Sequence, residues 1–309
     1  MRYLSLFSGM EAAHLAWAPL GWECVAVAEI EPAACALLRH RLPDVPNLGS
    51  VTEITDEQIA VLGGIDVVIG GSPCQGLSVA GRRAGLDDAR SGLFHEQMRI
   101  FNAARHLCGA RFLVWENVPG AFSSNQGRDF AVVVGAMAGS VVPVPRDGWG
   151  CEGVALGDNG LVEWSVLDAQ WFGVAQRRRR VFSVLDTGNW SDRPPVLLEP
   201  ESMRRHPPAR PRPYPTIDCG IWRKRQCNQW VRNGFAIARP GGVSNPTPLE
   251  VERLFGAPDN WTLVPDQNGA LLNDGPRYRM LGNSFAVPVI RWIGTRIDAA
   301  AQAALRKVA

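Results

Sequence analysis

The sequence of 309 residues has no apolar run approaching the ~18 residues that a membrane-spanning helix needs, so we expect no membrane segment. Its first residues also lack the long apolar stretch of a signal peptide. The seven cysteines are an odd number without a CxxC pair, which argues against a disulfide framework and a structural metal site. Together these absences predict a cytoplasmic protein without a bound metal. With 46% hydrophobic and 20% charged residues, the composition is that of an ordinary globular protein.

Charge is distributed unevenly along the chain. Residues 187–248 contain ten Lys and Arg against four Asp and Glu, and they contain 11 of the 23 prolines. The rest of the chain contains 22 basic and 26 acidic residues. A basic, proline-rich segment in a slightly acidic body favours contact with a polyanion. A solvated subdomain rich in loops would have the same composition.

The first 186 residues alternate short apolar runs with amphipathic ones. Strands are predicted at 3–7, 24–28, 65–69, 111–115 and 181–185, with helical patterns between them. This alternation predicts an α/β fold with a mostly parallel, doubly wound sheet that is covered on both faces. The regular pattern ends at Asp186, and residues 287–307 form a last amphipathic helix that we expect to pack back on the body.

Two features of the first two strands are typical of a nucleotide site. Gly9 lies in the turn after the first strand, where a glycine lets the backbone approach a ligand. Glu29 ends the second strand, 20 residues later, where nucleotide-binding α/β folds place the acid that holds ribose hydroxyls. This pair predicts a cofactor that contains a nucleoside. A simple tight turn and a surface carboxylate remain the alternative.

Polar side chains follow the third and fourth predicted strands. Cys74 comes after Pro73 in a glycine-rich loop, a setting that directs a side chain outward as a nucleophile requires. Glu116 follows the fourth strand, so it is expected at the same edge of the sheet as Cys74. A thiol nucleophile and a carboxyl general acid would then face one substrate. Three other cysteines are expected to be inert and buried: Cys24, Cys35 and Cys108.

Arg178 and Arg180 alternate at the start of the fifth predicted strand. Alternate residues of a strand point to one face, so both arginines are expected at the edge that carries Glu116. There they could contact a phosphate or a base carbonyl. A basic surface loop is the alternative interpretation.

Eight motifs in a fixed order extend these observations over nearly the whole chain. They are LFSG at 6–9, AEIEP at 28–32, GGSPCQGLS at 70–78, GLDDARSGLF at 85–94, ENV at 116–118, QRRRRVF at 176–182, LEVERLFGAPDNW at 249–261 and RYRMLGNSFAVPV at 277–289. In this order they resemble the DNA cytosine-5 methyltransferases of the bacterial or phage type.

The resemblance implies a Rossmann-like domain that binds S-adenosylmethionine. Its cofactor residues would be Phe7, Gly9, Glu29, Ile30, Ser50, Val51, Pro73, Leu93, Asn283 and Ser284. Three positions depart from the family's usual pattern. Glu11 stands in place of a second glycine, Ile30 in place of an aromatic residue and Ser50 in place of an aspartate. These departures concern cofactor binding and leave the nucleophile motif intact.

The resemblance further implies methyl transfer to C5 of a cytosine that is flipped out of a specific duplex DNA sequence. Cys74 would add to C6, Glu116 would hydrogen-bond N3, and Arg178 and Arg180 would orient the base. The same chemistry on a cytosine of transfer RNA is the nearest alternative. An inactive binding protein and a dinucleotide-dependent thiol oxidoreductase are weaker ones, because the motif residues are intact and no CxxC pair is present.

By the same resemblance, residues 1–187 with 276–309 would form the catalytic domain and 188–275 a smaller, irregular target-recognition domain. We expect double-stranded DNA as partner, a monomer, a cytoplasmic location at the nucleoid, and a cognate restriction endonuclease as a further candidate partner. Residues expected to contact DNA are Gln75, Ser78, Arg223, Lys224 and Arg225.

Overall fold

A computed structural model describes residues 1–72, 92–199, 237–239 and 242–305. Seven strands form one sheet in the order β2-β1-β3-β4-β7-β6-β5. They are β1 Arg2–Leu6, β2 Glu23–Ala28, β3 Val67–Gly70, β4 Phe112–Asn117, β5 Glu152–Gly157, β6 Gly160–Asp168 and β7 Arg179–Asp186. A separate antiparallel pair consists of β8 Ile237–Arg239 and β9 Gly242–Ser244.

Helices cover this sheet, and two of them begin with a capping box. Thr55 and Gln58 cap one, and Thr247 and Glu250 cap another, because each pair satisfies backbone N–H groups at the helix start. No helix within the described ranges is long and apolar enough to cross a bilayer. The helices are α1 Ala12–Trp17, α2 Pro32–Arg41, α3 Asp56–Ala60, α4 Gly92–Cys108, α5 Arg128–Ala138, α6 Pro248–Phe255, α7 Asp274–Asn283 and α8 Val287–Leu305.

The α/β fold class is confirmed, and the sheet is more mixed than expected. Strands β2, β1, β3 and β4 are parallel, whereas β7, β6 and β5 continue the sheet in antiparallel pairing. The expected strands did not include β5 and β6. These form a hairpin whose glycines, Gly153, Gly157 and Gly160, interrupt the apolar pattern that would have indicated strands.

The strand order also indicates where a ligand-binding crevice would lie. From β1 the chain crosses to β2 on one side, and β3 then lies on the other side of β1. Ligands of such sheets bind at this reversal, outside the carboxyl ends of the strands. We therefore expect a ligand site at the ends of β1, β2, β3 and β4. These four strand ends are called the carboxyl edge below.

Successive residues of β1 point into two different cores. Tyr3 packs with Trp17 of α1 and Ile293 of α8 on one face of the sheet. Leu4 belongs to the cluster on the other face, which contains Phe101 of α4 and other side chains of α4 and α5. Two buried faces explain why these strands contain nearly continuous apolar runs.

The chain that leaves β7 is tied to the seven-stranded body. Arg193 is buried, with Nη1 2.5 Å from Oε1 of Glu163 and Nε 2.7 Å from Oδ2 of Asp186. Glu163 also accepts hydrogen bonds from the backbone N–H groups of Val196 and Leu197. The described flanks of the predicted recognition domain thus share the core of the body. The domain division itself stays a prediction.

Candidate active site

The turn after β1, residues 7–11, is called the first loop below, and its backbone is unusual. Phe7, Gly9 and Glu11 all have positive φ, at 54°, 56° and 55°. For the two residues with side chains this left-handed conformation costs free energy, so surrounding contacts must hold it. Ser8 N–H donates to the Ala28 carbonyl at 3.2 Å, which ties the first loop to the end of β2.

Glu29 binds backbone rather than solvent. Its Oε2 accepts from Gly9 N–H at 2.8 Å, and its Oε1 accepts from the N–H groups of Ile30 and Glu31, both at 2.8 Å. A carboxylate offers about four acceptor positions, so one remains for a ribose hydroxyl. The structure therefore brings Gly9 and Glu29 together, as the sequence predicted.

The neighbours of Glu29 fit an adenosine group. The Ile30 side chain is 70% exposed beside the acid, so its apolar surface is available to the face of a purine. The Ser50 hydroxyl lies 2.8 Å from that of Thr52 and also accepts from Thr52 N–H, whereas Val51 is buried. A group that contains adenine and ribose can thus find an apolar surface, a hydroxyl and an acid at this edge.

Glu11 occupies the family's usual glycine position and keeps the backbone that a glycine would have. Its buried carboxyl accepts from the Ser5 hydroxyl at 2.7 Å, the Tyr3 hydroxyl at 3.3 Å and His14 N–H at 3.1 Å. Burial raises the pKa of Glu11 to about 7, against the lowering effect of these hydrogen bonds. These contacts hold the carboxyl inward and cap α1.

Close approach of side chains explains the two glycines at the end of β3. A Cβ on Gly70 would lie 3.0 Å from Nε2 of Gln97. A Cβ on Gly71 would lie 3.0 Å from Oε2 of Glu116 and 3.1 Å from Cε1 of Phe285. The next residue, Ser72, accepts from the Trp115 indole at its hydroxyl, at 3.1 Å. The chain that enters the nucleophile loop is thereby fixed against β4.

Glu116 and Arg180 form an ion pair at the carboxyl edge. Nε of Arg180 lies 3.1 Å from Oε1 of Glu116, and both side chains are largely buried. Burial raises the pKa of Glu116, while the charges of Arg180 and Arg178 oppose that rise. A carboxyl group with a raised pKa is suited to sharing a proton with a substrate nitrogen.

Arg178 lies deeper than Arg180 and holds backbone. Its Nη2 donates to the carbonyls of Gly282 and Ser284 at 3.0 and 2.7 Å, and its guanidinium stacks 4.9 Å from the Phe255 ring centre. The segment that contains Asn283 and Ser284 is thereby attached to the start of β7, with Asn283 exposed. A role for Arg178 in orienting the base stays a prediction, and its contacts favour a role in positioning this segment.

The three cysteines that were expected to be inert are half-buried rather than fully buried. Each thiol donates to a carbonyl: Cys24 to Ala26, Cys35 to Glu29 and Cys108 to Ile59. Desolvation raises the pKa of all three thiols, so none of them is activated as a thiolate.

Several predicted site residues lie outside the described residues: Pro73, Cys74, Gln75, Ser78, Arg223, Lys224 and Arg225. Leu93, at the start of α4, is half-buried and packs against the same core as Phe7. Sequence reasoning missed Phe285 and Trp261 as neighbours of the site. Both belong to motifs that were recognised, but nothing in a motif shows which side chain contacts a loop 250 residues away.

The model of the C-5 cytosine-specific DNA methylase family matches residues 1–191 and 224–299 of this chain. The chain belongs to this family. The match confirms the family that the eight motifs predicted, and with it S-adenosylmethionine as the expected cofactor.

Individual proteins are similar over most of the chain. The DNA N-6-adenine-methyltransferase of Escherichia phage P1 is 29% identical, covering 96% of this chain and 61% of the phage protein. Type II methyltransferase M2.BsuMI of Bacillus subtilis (strain 168) is 26% identical, covering 96% of this chain and 75% of its own length. The structure of S. pombe Dnmt2 methyltransferase shares the fold with a TM-score of 0.62 at 17% identity, covering 96% and 98% of the two chains. This chain spans less than two thirds of the phage P1 relative.

Proposed function

We propose that this chain transfers a methyl group from S-adenosylmethionine to C5 of cytosine in a specific sequence of double-stranded DNA. The observation that carries the proposal is the buried Glu116–Arg180 pair, because its Glu116 carboxyl lies beside Gly71, the glycine that precedes Ser72, Pro73 and Cys74 in the sequence. Cys74 follows Ser72 by two residues in the sequence, so the chain that leads to the nucleophile leaves β3 beside Glu116. A nucleophile and an acid within reach of one base are what C5 methylation requires.

The chemistry of cytosine explains the need for both groups. C5 is a poor nucleophile until the Cys74 sulfur adds to C6 and makes C5 an enamine carbon. Glu116 would share its proton with N3 during the addition, so that no full negative charge develops on the ring. When bound, S-adenosylmethionine supplies an electrophilic methyl group to C5. Loss of the C5 proton and cleavage of the C6–S bond then restore the aromatic ring and release Cys74.

Arg180 has a different task from Glu116 in this proposal. Its guanidinium holds the carboxyl group at a fixed place through Nε, and its remaining N–H groups can reach the base carbonyl or a phosphate. The opposing effects of burial and of the two arginines keep Glu116 able both to give and to take back a proton.

The cofactor would be bound by the first half of the carboxyl edge. Glu29 would accept from a ribose hydroxyl, Ile30 would cover the adenine, and Asn283 would supply a polar contact from the other side. The exposed Ile30 and the spare acceptor position of Glu29 support this assignment.

Sequence recognition would reside in residues 188–275, and most of all in 200–236, which hold eight Lys and Arg and two Asp and Glu. Neutralising Arg223, Lys224 and Arg225 together should weaken binding to all DNA sequences and reduce the salt dependence of binding. The type II methyltransferase among the relatives supports a cognate restriction endonuclease as a partner. The monomeric state and the nucleoid location stay predictions.

The experiment that tests the proposed function is a map of modified bases in the host genome after expression of the chain. We expect 5-methylcytosine at every copy of one short sequence, and none after expression of Cys74→Ser. N6-methyladenine, which the name of the phage P1 relative indicates, would contradict the proposal if it appeared instead. Methyl transfer to transfer RNA but not to duplex DNA in a tritium assay would favour the RNA alternative.

A further inference from the structure

The first loop requires external support. It contains three residues of positive φ, and two of these, Phe7 and Glu11, have side chains. Strain of this kind persists only where neighbouring groups determine the conformation. Contacts from the first 31 residues fix Ser8 and Gly9 through the end of β2. They leave the carbonyl of Met10 to be satisfied from elsewhere.

That carbonyl is bound by a side chain from the opposite end of the sequence. The indole Nε1 of Trp261 donates to the oxygen of Met10 at 2.8 Å. Trp261 follows α6 and lies within residues 188–275, the predicted recognition domain, in a part of it that packs on the body. One hydrogen bond thus links the first loop to a part of the chain 251 residues away.

The position of Trp261 is itself fixed by the side chain of Arg41. Arg41, at the end of α2, donates through Nε to the Trp261 carbonyl at 3.1 Å and through Nη2 to the Asn260 carbonyl at 2.7 Å. Its guanidinium also lies 5.0 Å from the centre of the Trp261 ring, within the range of a cation–π interaction. The indole therefore has little freedom to turn away from Met10.

Buried charges fix the residues on both sides of Trp261. Glu252, which is fully buried, accepts from Asn260 N–H at 2.7 Å and from Thr262 N–H at 2.8 Å. Arg277 of α7 neutralises this carboxylate at 3.2 Å. A side chain on so rigid a support can impose the position of the group it binds.

We infer that Trp261 is a positioning residue for S-adenosylmethionine: its indole N–H holds the first loop in the strained shape that binds the cofactor. The inference rests on the proposed role of the first loop. It predicts that loss of this single donor raises the dissociation constant of the cofactor without changing the chemical step at saturating cofactor.

The test is calorimetric titration of Trp261→Phe with S-adenosylhomocysteine, the demethylated product. The phenylalanine keeps an aromatic ring on Arg41 and removes only the donor. We expect the dissociation constant to rise roughly three- to tenfold, the effect of one hydrogen bond. The KM for S-adenosylmethionine should rise in parallel, while kcat and DNA affinity stay within twofold of the wild type.

Trp22→Phe is the matched control, because the Trp22 indole donates to Asp298 at 3.0 Å, away from the first loop. It should leave the dissociation constant unchanged even if its melting temperature falls as much as that of Trp261→Phe. Arg41→Ala, which loosens Trp261 without touching the first loop, should weaken cofactor binding by a smaller factor. Its effect should be largely lost in the double variant with Trp261→Phe.

Two results would overturn the inference. One is equal affinity of wild type and Trp261→Phe for S-adenosylhomocysteine. The other is an equal loss of affinity in Trp22→Phe, which would indicate general destabilisation. A wild-type chain that does not bind S-adenosylhomocysteine would contradict the proposed cofactor itself, and the inference with it.

Discussion

The two halves of the carboxyl edge are built in different ways. The half formed by β1 and β2 holds its shape through backbone: left-handed residues in the first loop and three N–H groups bound to Glu29. The other half is formed by the ends of β3 and β4, with the start of the antiparallel strand β7 beside them. It depends on buried charged side chains, with Glu116 paired to Arg180 and Arg178 bound to two carbonyls.

All three departures from the family's usual pattern fall in the first half. A half that depends on backbone shape tolerates a change of side chain if the new residue adopts the same φ, as Glu11 does at 55°. A half that depends on a buried ion pair has no such tolerance, because removing one partner leaves the other buried and uncompensated. The comparison predicts that substitutions in the second half strongly reduce the rate of methyl transfer, whereas substitutions in the first half mainly change stability or cofactor affinity.

The largest effect is expected for Glu116→Gln. Glutamine keeps the size of the side chain but cannot share a proton with N3, and it leaves Arg180 without its counter-charge. We expect the single-turnover rate to fall on the order of 100- to 1000-fold, as for removal of one oriented transition-state group, with DNA affinity little changed.

Glu23→Gln is the control for Glu116→Gln. Glu23 pairs with Arg2 at the same 3.1 Å distance, but its side chain is 62% exposed at the opposite edge of the sheet. It should leave the rate unchanged. Equal rates for Glu116→Gln and wild type at saturating DNA would show that Glu116 is structural.

Glu11 provides the next largest effect, and it depends on pH. The pKa of Glu11 is about 7 in the fold against 4.5 as its ordinary value, so the folded state retains a proton that the unfolded state releases between these values. The stability of the wild type should therefore fall as the pH rises from about 4.5 to about 7. Glu11→Gln mimics the protonated form and should be more stable above pH 7, by at most about 3 kcal/mol, with little difference near pH 4.5.

Urea unfolding at several pH values measures this difference directly. Glu53→Gln, at an exposed position, controls for the loss of one negative charge. A constant difference between Glu11→Gln and wild type from pH 4.5 to pH 8 would mean that folding does not raise the pKa of Glu11.

A third comparison uses two glycines, one at a crowded position and one at an open position. Gly71→Ala would place a methyl group 3.0 Å from Glu116 and 3.1 Å from Phe285, so one of them must shift. We expect unfolding to become easier by about 1–3 kcal/mol and the single-turnover rate to fall roughly ten- to hundredfold. Gly275→Ala, with nothing within 4 Å of the added carbon, should change neither. Full activity of Gly71→Ala would show that the position of Glu116 is not critical.

The smallest effect is expected in the half of the carboxyl edge formed by β1 and β2, where the cofactor would bind. Ser50→Asp should tighten binding of S-adenosylhomocysteine by about 1 kcal/mol, because a carboxylate accepts from an adenine amine more strongly than a hydroxyl does. Glu29→Ala should weaken binding by more, since it also releases three backbone N–H groups, one of which is Gly9 N–H of the first loop. Calorimetric titration of both variants decides. Weaker binding by Ser50→Asp together with unchanged binding by Glu29→Ala would place the adenine elsewhere.

The sequence predicted those parts of the fold whose signal is local. The apolar runs of β1 to β4 and β7 and the last amphipathic helix, predicted at 287–307, correspond to elements of the structure. The glycine-rich hairpin of β5 and β6 carries no such periodicity, and its strands form because β7 offers an edge to pair with. Helix α7 was missed for a similar reason, because it is short and is stabilised by contacts with distant residues. Helix α6 was missed although its capping box, Thr247 and Glu250, is a local signal in the sequence.

The residues of the candidate site likewise fall into two groups, those with a local signal in the sequence and those that depend on distant partners. Glu116, Glu29 and Gly9 could be predicted because a strand end determines where each one lies. The depth of Arg178, the inward Glu11 carboxyl and the bond from Trp261 to Met10 could not be predicted, since each depends on a partner distant in sequence or on burial. Periodicity shows which face of an element a residue occupies but not which atoms its side chain contacts.

The most direct test of the account is covalent trapping of Cys74 on duplex DNA that carries 5-fluorocytosine at the target position, in the presence of S-adenosylmethionine. Fluorine at C5 cannot leave as a proton does, so the bond from sulfur to C6 should persist. We predict an adduct that survives denaturation with wild type and with Cys151→Ser, a change at an exposed cysteine of the described chain, and none with Cys74→Ser. An adduct formed by Cys74→Ser, or none formed by a wild type that methylates the same sequence, would contradict the central claim.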